Sequence, residues 1–233
     1  DVEKMINEKT AMLWFLNIQS DKGVITHEEW VALGKKHHIP TMIDIAADVP
    51  PVSNLWKFNE MGFDLVCISG GKALRGPQSA GILMGKKDLI AAARLSMPPR
   101  GSTIGRGMKV NKEEVIGMYV ALDHYLKYDH EKEWQEWESR IATIQNAIKN
   151  INGVTTEIKV PTLGNVTPTL HVTWDSSKIK ITTKELQERL RNANPSIEVI
   201  GNEENHITIT CWVMKAGEEK IVAKRLKEEL AKS

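Results

Sequence analysis

The stretch Asp64-Leu65-Val66-Cys67-Ile68-Ser69-Gly70-Gly71-Lys72-Ala73-Leu74-Arg75-Gly76-Pro77-Gln78 decides how the chain is read. Its first half is a short, almost wholly apolar run, as expected of a strand buried on both faces of a sheet. Its second half is a glycine-rich turn, where the backbone can approach a neighbour or a ligand closely. Upstream, Met12 to Ile18 and Thr41 to Ala47 are two further apolar runs, and the segments between them have helix signals. Thr26 followed by Glu29 is a capping box for a helix through about Lys36, closed by His37-His38-Ile39-Pro40, and Ser53 is placed to cap a short helix that Gly62 ends. Downstream, Ala80 to Met84 forms a fourth strand and Lys87 to Ser96 a helix. This alternation predicts an α/β fold with a mainly parallel sheet covered by helices, and ligands bind such sheets at the strand ends.

Beyond the breaker-rich segment Met97 to Gly107 the pattern changes. Residues 111–151 are helical in composition, with a break or bend at Lys127-Tyr128-Asp129-His130, and the remainder alternates short strands and helices in the manner of a small α+β domain. The expected division is therefore a large-domain portion, 1–110, and a linking helix with a small C-terminal domain, 111–233. Thirty-one basic residues against thirty acidic leave a formal charge of +1, so no global field draws in nucleic acid or a membrane surface. Cys67 and Cys211 lie far apart in apolar runs and read as free, buried thiols of a reducing compartment, with no metal site expected. No apolar run is long enough to span a bilayer, and the expected location is the cytoplasm.

A lysine inside a glycine turn after a buried strand calls for a chemical reason. A phosphate-binding P-loop requires glycine where Val66 stands and serine or threonine where Ala73 stands, so that reading fails twice. The other candidate, beside a plain surface lysine, is a Schiff-base lysine, whose amine condenses with the aldehyde of pyridoxal phosphate and later moves a proton. Such a site needs an acid opposite the pyridine nitrogen, because the protonated ring is the electron sink. Asp44, near the end of its apolar strand, lies 28 positions before Lys72 and can meet it at neighbouring strand ends. Ser69 and the backbone amides of the Gly70-Gly71 turn are then available to the cofactor phosphate.

Two segments, Pro40-Thr41-Met42-Ile43-Asp44-Ile45-Ala46-Ala47-Asp48-Val49-Pro50-Pro51 and Gly62 through Lys87, resemble the L-seryl-tRNA(Sec) selenium transferase-related proteins, which are fold-type I pyridoxal phosphate enzymes. That group includes D-glucosaminate-6-phosphate ammonia-lyases. The Ser69-Gly70-Gly71-Lys72 and Gly76-Pro77-Gln78 motifs are its specific part. The resemblance implies an aminotransferase-like large domain, with Lys72 as the cofactor-bearing lysine, Asp44 as the partner of the ring nitrogen and Ala46 packed on the ring. Ser69 and Gly71 would bind phosphate, and Gln78 would lie near a neighbouring subunit's site. It implies a homo-oligomer, of two subunits or more. It also implies that this chain is the C-terminal part of the usual protein, because the first strands and the ring-stacking residue of such enzymes have no counterpart before Met12.

Within that resemblance two chemistries compete. An ammonia-lyase eliminates a β-hydroxyl and releases a 2-keto acid and ammonia; a selenium transferase adds selenide to a tRNA-borne residue. Basic and acidic residues interleave here without the basic stripe that a tRNA binder needs, which favours a small-molecule substrate, phosphorylated or not. Arg100, Arg106 and Lys109 are the candidates for its anion, with solvated loop charges as the alternative. A further alternative is a truncated half that works only with another polypeptide. The seven tryptophans are scattered, as core and interface residues are.

Overall fold

The computed structural model describes residues 1–201 and 203–232, and the chain divides into two compact units: residues 1–128 with 163–166, and residues 129–162 with 167–233.

The first unit is built on a four-stranded sheet of β1 (Leu13–Leu16), β2 (Thr41–Asp44), β3 (Leu65–Ser69) and β4 (Gly81–Gly85), in that spatial order. The first three run parallel and β4 returns antiparallel. Helix α1 (His27–His37) opens with the expected capping box: Thr26 Oγ1 accepts from the Glu29 amide at 3.2 Å, and Glu29 accepts from the Thr26 amide at 2.8 Å. It closes with His38 in the left-handed conformation, which satisfies the last carbonyls as a C-cap should. Helix α2 (Asn54–Met61) ends at Gly62 as the sequence predicts. Ser53 does not cap it, because the chain enters through turns closed by the Pro51 and Val52 carbonyls, and the Asn54 side chain donates to the Asp48 carbonyl at 2.6 Å. Ile43, Val66 and Ile68 face α1 and α2 and form a core with Val31, Leu55, Phe58 and Phe63.

Two strands stop earlier than their apolar runs. β1 gives way to a 3-10 turn at Asn17–Gln19, where the buried Asn17 side chain meets His27 Nε2 at 2.7 Å. β2 stops at Asp44 because the Asp44 carboxylate accepts from the Ala46 amide at 2.9 Å, a local bond that bends the backbone out of the ladder. At the other end of the sheet, Asp64 accepts from the Thr41 amide at 2.7 Å and the Thr41 hydroxyl at 3.0 Å and pairs with Lys86 at 2.6 Å. Partial burial pushes the Asp64 carboxyl up, but Lys86 and Thr41 outweigh it and hold the group below the usual carboxylate range. Helices α3 (Lys87–Leu95) and α4 (Lys112–Lys127) follow, and the segment 163–166 returns to this unit through the Gly164 amide, which donates to the buried Asp48 carboxylate at 3.0 Å.

The second unit holds an antiparallel sheet of β5 (Val154–Lys159), β6 (Thr169–Trp174) and β7 (His206–Thr210), with helices α5 (His130–Ile148), α6 (Thr183–Arg191) and α7 (Glu218–Lys232). The predicted break in the long helical stretch is complete: Tyr128 is extended, and the Asp129 side chain caps α5 by accepting from the Lys132 amide. Leu170, Val172, Ile207 and Ile209 alternate inward from the sheet and pack with Ile141, Ile144 and Ile148 of α5 and Leu226 and Leu230 of α7. The apolar run at Ile197 to Ile200 does not become a ladder strand; only Ile200 bridges to Thr208.

Candidate functional site

The polar side chains singled out in the sequence collect at one end of the first sheet. Asp44 is the last residue of β2 and Ser69 the last of β3, its parallel neighbour. Asp44 pairs in register with Cys67, so Asp44, Cys67 and Ser69 point to the same face. Lys72 follows three residues beyond β3, in the turn that leads to β4.

That turn is closed by its own backbone. The Gly70 amide donates to the Ala80 carbonyl at 2.9 Å, the Gly76 amide to the Gly70 carbonyl at 2.8 Å, and the Arg75 amide to the Lys72 carbonyl at 2.9 Å. The Gln78 side chain donates to the Gly71 carbonyl at 3.1 Å and ties the two arms together. Glycine is required at 70 and 71: a Cβ on Gly71 would stand 2.8 Å from the Gln78 Cα, and one on Gly70 would stand 2.6 Å from the Ala80 carbonyl oxygen. Helix α4 braces the turn from outside. Ser79 donates to Glu114, which also accepts from the Asn111 amide at 2.7 Å, and Gly76 lies close against Met118 and Ala121. The bonds from Ser79, then Asn111, hold the Glu114 carboxyl below its ordinary value.

Inside this frame Lys72 is half-buried, and among the described residues its amine has no hydrogen bond or ion pair. Asp44 is also half-buried; its carboxylate accepts from the Ala46 amide, and Cys67 stands beside it in register on β3. Ala46 is partly covered just beyond Asp44. One expectation needs correction: the Gly70 amide is already committed to Ala80, so it is not available to a phosphate, and the Ser69 hydroxyl and the Gly71 amide are the groups that remain. Gln78 is exposed and serves the turn itself.

Arg100, Arg106 and Lys109 are exposed on the segment around the 3-10 turn Ile104–Gly107, and no contact among the described residues joins them to Asp44 or Lys72. A cavity of about 360 Å³ opens at the opposite end of the sheet, lined by His38, Asp64 and Lys86 among others, with Asp64 and Lys86 paired to each other. Among the described residues no group of three or more His, Cys, Asp or Glu could hold a metal ion, and no helix is long and apolar enough to cross a membrane. Sequence reasoning did not place Cys67 beside Asp44. Its spacing of two from Ser69 in a strand was the available signal, since that spacing puts both on one face.

Comparison with known proteins gives this geometry a family. The chain is 27% identical over 198 residues to D-glucosaminate-6-phosphate ammonia lyase of Salmonella typhimurium, an alignment covering 84% of this chain and 50% of the relative. It is 28% identical over 234 residues to L-seryl-tRNA(Sec) selenium transferase of Clostridium botulinum, covering 88% of this chain and 50% of the relative. A solved structure of D-glucosaminate-6-phosphate ammonia-lyase superposes with a TM-score of 0.79 at 25% identity, over 99% of this chain and 60% of that one. The chain thus spans about half the length of the curated relatives it matches. The aminotransferase class-V model matches residues 1–231, and proteins of that class use pyridoxal 5'-phosphate. The residues present fit that group: a glycine turn whose space a Cβ would fill, an amine with no partner among the described residues, and a carboxylate at the neighbouring strand end. Its fold is part of the fold-type I architecture, and the chain belongs to the aminotransferase class-V family.

Proposed function

We propose that this chain carries the lysine and aspartate of a pyridoxal phosphate-dependent lyase that removes the β-hydroxyl of an amino acid or amino-sugar acid and yields a 2-keto acid and ammonia. The observation that carries the reading is the position of Asp44 and the Lys72 turn at the ends of adjacent parallel strands, where α/β sheets bind ligands. Bound there, the cofactor supplies an electron sink for negative charge developing at the substrate α-carbon.

The protein's own groups do the rest. The Asp44 carboxylate, held by the Ala46 amide, would face the ring nitrogen and keep its proton in place by charge pairing. The Lys72 amine, without a competing partner among the described residues, would hold the cofactor's aldehyde carbon and, once displaced there by the substrate amine, would take the proton from the α-carbon. Ser69 would donate its hydroxyl and Gly71 its amide to the phosphate, and Ala46 would offer a small apolar surface to the ring. Glu114 and Gln78 keep the turn closed, so that the lysine needs little reorganisation to reach the reacting atom. Arg100, Arg106 and Lys109 are offered as anion contacts for a phosphorylated substrate, and assembly into a homo-oligomer belongs to the same reading.

A lyase acting on a small molecule is supported by the superposition on the ammonia-lyase structure and by the balanced, interleaved charge. The transferase reading rests on the relative named for seryl-tRNA and asks for a basic surface that the composition does not supply. Ammonia and keto-acid release from D-glucosaminate-6-phosphate, measured with pyridoxal phosphate added, decides between them. The expected result is release with the wild-type chain and none with Lys72→Ala. Binding of the cofactor without ammonia release would reject this substrate, and no cofactor binding would mean that the chain acts only with a further polypeptide.

A further inference from the structure

Cys67 has no part in the reading above, yet it is the residue paired in register with Asp44. Cross-strand partners share a face, so the thiol and the carboxylate project side by side from β2 and β3. The half-buried thiol is thereby set beside the Asp44 carboxylate, within reach of a hydrogen bond to it. Burial, followed by the charge and hydrogen bond of Asp44, pushes the thiol up to about 11, so the sulfur keeps its proton at neutral pH and acts there as a donor.

Asp44 is therefore held from two elements. The Ala46 amide reaches Oδ1 at 2.9 Å from just beyond β2, and Cys67 reaches the carboxylate from β3. The terminal torsion of an aspartate is broad, and a single donor leaves the carboxylate plane free to swing. Two donors on different elements fix that plane. A thiol is also a weaker donor than a hydroxyl, so it orients the carboxylate while withdrawing little of its negative charge.

We propose that Cys67 is a positioning residue, whose S–H fixes the Asp44 carboxylate with its remaining lone pairs toward the ring nitrogen of the cofactor. The proposal rests on the reading of Asp44 and Lys72 given above. It adds a residue that touches neither cofactor nor substrate and acts only through Asp44.

The contact can be tested without the cofactor by the infrared S–H stretch of the unliganded chain. Cys211, whose thiol donates to the Trp137 carbonyl at 3.4 Å, provides an internal reference. A carboxylate is the stronger acceptor, so the Cys67 band, identified by its loss in Cys67→Ser, should lie at lower frequency than that of Cys211 and move up in Asp44→Asn. A Cys67 band unchanged by Asp44→Asn overturns the proposal whatever the cofactor does. Cofactor affinity then tests the consequence. Cys67→Val should bind pyridoxal phosphate about fivefold more weakly, the size of one net hydrogen bond, and Cys67→Ser should bind close to wild type. Equal affinity of Cys67→Val and wild type, with the S–H band behaving as expected, overturns positioning and leaves Asp44 and Lys72 untouched. Failure of the wild-type chain to bind the cofactor overturns the reading that this chain binds it unaided, and the proposed role in the isolated chain with it, while the infrared result still decides the contact.

Discussion

The two sheets of this molecule solve different problems. In the second unit, one face of β6 and β7 is sealed: Leu170, Val172 and Ile207 are fully buried against a core to which α5 contributes Ile141, Ile144 and Ile148. In the first unit, the face that holds Ile43 and Val66 is equally closed, but the opposite face keeps Trp14 at 51% and Leu83 at 37% exposure and carries Asp44, Cys67 and Ser69 at its rim. The second unit spends its sequence on packing. The first leaves polar groups and glycines where a packed core would have apolar side chains, as functional sites do.

Substitutions in the two places should therefore fail differently. The largest stability effect belongs to the second unit. Ile144→Ala should cost about 3 kcal/mol, read as a lower denaturant midpoint of the Trp137 and Trp174 fluorescence, because the side chain is fully buried and its cavity cannot collapse. Cofactor capture at Lys72 by the protein that remains folded should be unchanged.

Gly71→Ala should reverse that pattern. Its Cβ would press on the Gln78 backbone, and relieving the clash should cost roughly 1–3 kcal/mol in the first unit and displace Lys72. Cofactor capture should fall sharply while the tryptophan transition of the second unit stays in place. Normal cofactor capture by the Gly71→Ala variant would show that the turn is looser than its contacts require.

The smallest effect is electrostatic. Asp64 sits below its ordinary value in the folded chain, so its contribution to stability is present above the unfolded carboxylate range, about 3.9, and is lost as pH falls through the lower folded value. Asp64→Asn should lower stability at neutral pH and flatten that acid limb, as followed by denaturant titration at several pH values. An acid limb that is the same in Asp64→Asn and wild type would place the titration elsewhere.

Much of the first unit was legible because its signals are local. The Thr26–Glu29 capping box, Gly62 as a C-cap and the apolar runs of β1 to β4 each depend on residues adjacent in sequence. The Ser69-Gly70-Gly71-Lys72 turn was legible for the same reason, and so was the break at Asp129. What was not legible depends on partners distant in sequence. The Gly70 amide is used by Ala80, ten residues away, and the turn is braced by Glu114 on a helix that the sequence assigned only to linking. Cys67 read as a free, buried thiol because its relation to Asp44 exists only in the register of β2 against β3. Ser53 has the right residue type for a cap, but the Pro50-Pro51 entry sets a helical conformation there that leaves no cap to make.

The central claim is that Lys72 bears the cofactor, and borohydride trapping tests it most directly. The chain is mixed with pyridoxal phosphate, reduced, digested and mapped by mass spectrometry. The account predicts one modified lysine, in the peptide containing Ser69-Gly70-Gly71-Lys72, lost in Lys72→Ala and reduced in Asp44→Ala. Label spread over surface lysines, or retained at equal level in Lys72→Ala, would contradict it.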